Sequence, residues 1–262
     1  MSRRAWNLVQ IGATALLVTF LLLPVAALAL TLGWRDFLAG IRHPLLAPAL
    51  RLSLTTSSSS LILVVVLGSL VAWWVARHQG PLARAIETVT QLPAVIPPAV
   101  AGVGLLLAFG RRGLVGAFLA REGYGLAFTT PAVVLAEAFV SAPFFIQAAI
   151  AAFRRVDENL ITVARTLGAT PFRTFVRVAL PLSAPTLIAG AAMSWARSLG
   201  EFGATLLFAG NLTGRTQTLP LAVYTAMETD LRAAQALALI MVVVAFAVLL
   251  VLRRMAREAL GA

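Results

Sequence analysis

Long uninterrupted apolar stretches constrain this chain more than any other feature. They cover residues 8–32, 52–76, 91–110, 126–152, 184–209 and 233–252. Each is near or above the ~20 residues that a helix needs to cross the hydrocarbon of a bilayer. About six transmembrane helices are expected, in an all-α integral membrane protein. The first stretch follows Ser2-Arg3-Arg4 as a secretory signal would. Its apolar run is too long for one and five more spans follow, so it reads as a retained helix. Only 12% of the residues are charged and the mean hydropathy is +0.92, against about 25% charged in a soluble domain. No polar linker divides the chain, so residues 1–262 are expected to form a single membrane domain. With only residues 253–262 beyond the last span, regulation by a fused domain is not expected.

All 21 basic residues are Arg, and there is neither Lys nor Cys. A phosphate-binding loop of the G-x-x-x-x-G-K-[ST] kind needs its Lys, so the chain is not expected to hydrolyse ATP by itself. Schiff-base chemistry, thiolate nucleophiles, disulfides and Cys-ligated metals are excluded as well. The net charge of +11 reads as helix orientation in a chain this apolar, not as affinity for nucleic acid. With the N-terminus inside, twelve Arg lie on the cytoplasmic side and eight outside, Arg197 being within a span. That bias puts both termini in the cytoplasm.

Polar residues inside the spans admit two readings each. Thr55, Thr56 and Ser57 to Ser60 open the second span; they suit close helix packing or a hydroxyl-lined path. Pro93, Pro97 and Pro98 crowd the third, where regular helix fails. They mark either a hinge beside the pore or a helix start at the interface. Arg197 and Glu201, four apart, share one face of the fifth helix and form either a structural pair or a way-station for an anion. Gly200 and Gly203 flank Glu201 and permit bending or close approach. Glu137 is the other intramembrane acid, with no ionisable partner near it in sequence.

Residues 154–180 form the most informative loop. Val156, Leu160, Val163, Ala164 and Leu167 recur at helical spacing, with Asp157 and Glu158 in the first turn where they suit the helix dipole. Gly168 ends that helix in a left-handed conformation. Thr170 then caps a second helix and Pro171 fills its first position. The expected shape is a helix, a tight turn and a helix, a compact cytoplasmic knob for a soluble partner. It carries no nucleophile–base pair.

This loop resembles the cytoplasmic E-A-A loop of ATP-binding-cassette (ABC) importer permeases. Thr162-Val163-Ala164 stands at the E-A-A position and keeps only the second Ala. Gly168 and Leu180-Pro181 match the family's Gly and Leu-Pro. A second resemblance covers Trp195-Ala196-Arg197-Ser198-Leu199-Gly200-Glu201-Phe202-Gly203-Ala204-Thr205, then Phe208-Ala209-Gly210-Asn211 and Thr216-Gln217-Thr218-Leu219-Pro220-Leu221 with Tyr224. It is similar to the oxyanion branch of those permeases, and in wording to the molybdate and tungstate members. Residues 107–113 and 142–145 are similar to the same subgroup.

The resemblance implies a permease subunit in a prokaryotic inner membrane that imports an oxyanion, molybdate or tungstate. A coupling helix would dock in a groove of a cytoplasmic ATPase dimer through Leu160, Thr162, Val163, Ala164, Leu167, Gly168, Ala169, Pro171 and Phe172. Pro97, Arg197, Gly200, Glu201, Gly203 and Thr205 would belong to the translocation path or its gate. Asn211, Arg215, Thr216 and Gln217 would meet an extracytoplasmic oxyanion-binding protein. The chain would pair with a second copy and hold no cofactor, ATP and Mg residing on the ATPase. A sulfate or thiosulfate permease and a proton-coupled carrier working through Glu137 or Glu201 are the competing readings; an intramembrane protease lacks its constellation.

Overall fold

A computed structural model describes residues 3–261 of the chain; Met1, Ser2 and Ala262, at the edges of the expected domain, lie outside the described residues. The elements are α1 (Arg3–Leu30), α2 (Trp34–Ile41), α3 (Leu46–Arg77), α4 (Pro81–Val95), α5 (Pro98–Phe109), α6 (Gly116–Arg121) and α7 (Thr130–Arg154). They continue with α8 (Glu158–Thr166), α9 (Pro171–Thr174), α10 (Leu180–Leu199), α11 (Gly203–Ala209), α12 (Leu219–Thr229) and α13 (Leu231–Gly261). No strand occurs among the described residues. Among the described residues, five helices are long and apolar enough to span a membrane, and a bent pair, taken as one span, makes a sixth.

The bundle is organised around α7. It buries 61% of its apolar window, whereas α1 buries none. On α7, Ala132, Ala136, Ala149 and Ala152 let neighbouring helices approach closely, as small residues do in membrane interiors. Near one end of the bundle Trp73 of α3 meets the rings of Phe153 and Phe175, each at 5.5 Å between centroids. That aromatic cluster joins α3, α7 and the wide turn Phe175–Ala179, a π-helical segment between α9 and α10. The widening falls just ahead of Pro181, which has no N–H to offer the Arg177 carbonyl.

Two expected spans are corrected. The stretch 91–110 is not one rod: α4 and α5 meet at 114°. Ile96 (φ −70°, ψ 128°) and Pro97 (φ −54°, ψ 137°) are both extended, because each precedes a proline that disfavours the helical region. Pro93 stays inside α4 while Pro98 takes the first position of α5, so hinge and helix start are both realised. The stretch 184–209 is likewise divided, with α10 ending at Leu199 and α11 starting at Gly203. Arg197 and Glu201 therefore do not share one helix face; Glu201 lies in the break.

A paired helix break and an exposed coupling knob

The two breaks face each other. A Cβ on Gly203, at the start of α11, would lie 3.1 Å from Cβ of Pro98 and 3.3 Å from the Ala99 nitrogen at the start of α5. One turn on, a Cβ at Gly102 would sit 2.9 Å from the Ala204 backbone. Only glycine allows that approach. Glu201, with 1% of its side chain exposed, closes the corner: Oε2 meets Arg197 Nη1 at 2.8 Å and Oε1 accepts the Ala204 N–H at 2.8 Å. The carboxylate thus caps α11, where an acidic group is favourable, and ties it back to the last turn of α10. Arg197 keeps 28% of its side chain open. Pro97 and Gly200 are exposed, while Thr205 is fully buried with an unpartnered hydroxyl.

The hydroxyl run of α3 turns one face inward. Ser53, Thr56, Ser57 and Ser60 are buried; Thr55, Ser58 and Ser59 are exposed. Thr56 donates to Glu137 Oε1 at 2.9 Å, and Ser53 accepts the Leu219 N–H at 2.7 Å. Glu137 Oε2 finds no partner among the described residues. The partner of Glu137 was hidden in the sequence, 81 residues away; the hydroxyl run was the available signal.

At the other end of the bundle, α8 and α9 build the knob that the sequence describes. Asp157 caps α8 through the Asn159 N–H at 2.9 Å, standing just before the first turn instead of within it. Gly168 has φ +87°, and Thr170 accepts the Arg173 N–H at 3.3 Å with Pro171 following. The apolar face divides in a way that spacing alone does not reveal. Val156 and Ile161 are buried against the bundle, whereas Leu160, Val163, Leu167 and Phe172 point outward, Leu167 with 83% exposed. Thr162, Gly168 and Pro171 are exposed around them, with Ala164 and Ala169 half-buried. An exposed apolar cluster on a short helix is the mark of an interaction surface.

The connection between α11 and α12 corrects part of the expected docking set. Thr216 and Gln217 are buried. Thr216 Oγ1 accepts the Leu212 N–H at 2.9 Å and donates to the Gly210 carbonyl, and Gln217 Nε2 donates to Thr225. Asn211, half-buried, donates to the same Thr225 hydroxyl at 2.9 Å. These side chains hold the loop's shape, because a polar group taken from water needs an internal partner. Arg215 alone of the four is exposed.

Sequence reasoning also passed over two ion pairs that fasten the cytoplasmic end. Glu87 of α4 receives both guanidinium nitrogens of Arg154, at 3.0 and 2.7 Å. Arg77 of α3 meets Glu158 of α8 at 2.5 Å. Their separations of 67 and 81 residues leave no local pattern.

The all-helical span set, the broken helix pair and the exposed knob fit the membrane subunit of an ABC importer. Residues 64–260 match the family described as the binding-protein-dependent transport system inner membrane component, and the chain belongs to it. It is 45% identical over 233 residues to the molybdenum transport system permease protein of Mycobacterium tuberculosis, covering 89% of this chain and 88% of that one. With the protein of the same description from Escherichia coli it shares 41% identity over 183 residues, 69% of this chain and 80% of the relative. The fold is similar to a crystallised bacterial ABC transporter involved in alginate import, with a TM-score of 0.78 at 20% identity over 98% of this chain and 96% of that one.

Proposed function

We propose that this chain translocates molybdate, or the closely similar tungstate, as half of a symmetric pair in a prokaryotic inner membrane, both termini in the cytoplasm. The carrying observation is the paired break at Pro97 and Glu201. Two helices begin there against each other, and a half-open Arg197 stands beside them. The start of α5 and a guanidinium favour a passing anion, the start of α11 being already capped by Glu201. Discontinuous helices are also how transporters place substrate paths within the membrane. The identity with molybdenum permeases supports the choice of anion.

Two separate ATPase subunits dock on the exposed cluster of Leu160, Val163, Leu167 and Phe172, with Thr162, Ala164, Gly168, Ala169 and Pro171 shaping its surface. They carry the ATP and Mg; this chain needs no cofactor. Their closure moves the knob and rocks the helices between inward and outward states. The Arg197–Glu201 pair holds the α10–α11 corner while Gly200 and Gly203 allow it to bend, and Pro97 and Thr205 belong to the same moving region. An oxyanion-binding protein delivers the anion outside, with Arg215 the exposed basic contact. Because Arg197 is already paired, the anion meets a weak site that it can leave.

The test is ATP-dependent uptake into proteoliposomes holding this chain, its ATPase and its binding protein. Trace molybdate or tungstate should block uptake of labelled molybdate while excess sulfate does not. Sulfate winning would move the chain to the sulfate branch, and uptake needing a proton gradient without ATPase would overturn the importer reading.

A further inference from the structure

We infer that Arg77 is a positioning residue that fastens the coupling helix to the membrane bundle, so that movement of α8 is transmitted to α3 and α7 together. The inference rests on the reading of residues 156–175 as the ATPase-docking knob and goes beyond it by naming the joint. Arg77 is the last residue of α3, a helix of 32 residues and therefore about 48 Å long. Its guanidinium divides between two elements. Nη1 donates to Glu158 Oε2 at 2.5 Å, at the first residue of α8; Nη2 donates to the Phe153 and Val156 carbonyls, each at 3.3 Å, where α7 ends. The ring of Trp73, one turn back, lies 4.6 Å beneath it, and that ring belongs to the aromatic cluster with Phe153 and Phe175.

Little else holds this end of α8. Ile161 is the one buried residue of the helix. A cavity of about 290 Å³ opens beside the joint, lined by Trp73, Arg77, His78, Glu158, Arg165 and Thr174 among others. The knob is therefore not packed solidly against α3. A nine-residue helix is marginal alone, and a push on its exposed face would tilt it without moving the spans unless something rigid joins them. The forked geometry of a guanidinium can hold a carboxylate and two carbonyls at once, which the single head of Lys cannot do in a fixed plane. With Glu158 77% exposed, the pair contributes little to stability; its consequence is geometric. From the same helix Thr56 reaches Glu137 of α7, so a shift of α3 and α7 arrives at the level of the paired break.

The experiment uses the complete complex in proteoliposomes, measuring ATPase copurification, ATP hydrolysis and molybdate uptake separately. Arg77→Gln should keep the ATPase bound and hydrolysing while uptake per ATP falls about tenfold, within the range reported for residues that carry coupling. Glu158→Gln should move the ratio the same way by less, and the double variant should be no worse than Arg77→Gln, since the two act as one unit. Unchanged uptake per ATP in Arg77→Gln overturns the proposal. So does a parallel loss of binding, hydrolysis and uptake, the signature of a merely structural role. Should Arg77→Gln fail to fold, Glu158→Gln decides, and an unchanged ratio there is equally fatal. Val163→Asp separates the two readings: full ATPase copurification and uptake in that variant would remove the docking surface itself, whatever Arg77 does.

Discussion

The cytoplasmic knob and the paired break are built by opposite means. In the knob each turn is dictated locally: Asp157 caps α8, Gly168 takes a left-handed φ of +87°, Thr170 caps α9 and Pro171 follows. At the paired break, local signals explain only one side. Pro97 and Pro98 stop a helix by themselves, but Leu199 to Phe202 holds no proline. That second break is stabilised by two approaches to residues far away in sequence, Pro98 to Gly203 and Gly102 to Ala204, together with the Arg197–Glu201 pair across the break itself. A surface meant for a partner can be shaped by its own sequence, while a bend inside a membrane needs its neighbours to satisfy the freed backbone.

The largest effect is expected at the buried carboxylate. Arg197→Ala leaves Glu201 almost fully buried without its cation, a loss of about 3–5 kcal/mol. Arg197→Ala with Glu201→Gln removes both charges and should recover much of that stability. Thermal unfolding in detergent compares the two. If the double variant is the less stable, the pair is not what holds α10 to α11.

Gly102→Val comes next. A side chain there meets the Ala204 backbone at 2.9 Å, which cannot rotate aside, so overpacking should cost about 1–3 kcal/mol. Gly104, with nothing within 4 Å of a Cβ, supplies the control: Gly104→Ala should leave the midpoint unchanged or slightly raised. Equal losses at the two positions would mean that the α5–α11 approach does not shape the break.

These contrasts explain how far the sequence could be read. Span number, the all-helical class and the knob depend on hydropathy, length and caps, all visible within some twenty residues. The 184–209 stretch looked continuous because its apolar pattern runs through the break, and nothing local reports that Gly203 abuts Pro98. Thr216 and Gln217 looked like surface because the loop is polar; their burial follows from partners at Gly210, Leu212 and Thr225. The outward face of Leu160 and Val163 had the right period but no sign of direction, which only the burial of Val156 and Ile161 supplies.

Within the knob, Gly168→Val tests the turn. A β-branched residue at φ +87° is strained by about 1–2 kcal/mol, a modest loss of stability. The effect on function should be larger, because a displaced α9 misplaces Phe172 and the exposed cluster, and hydrolysis linked to transport should be lost. Unchanged hydrolysis and uptake would sink the docking assignment.

The smallest effect is expected at Thr170. Its hydroxyl accepts the Arg173 N–H at 3.3 Å, toward the long end for such a bond, so Thr170→Ala should lower stability by about 1 kcal/mol. Thr170→Ser keeps the acceptor and should behave as the parent. Because the cap acts locally, the Thr170→Ala loss should add to that of Arg197→Ala without interaction. Measuring the two singles and the double by thermal unfolding therefore tests the contrast between the regions directly: coupling between them would show that the knob is not shaped independently of the break.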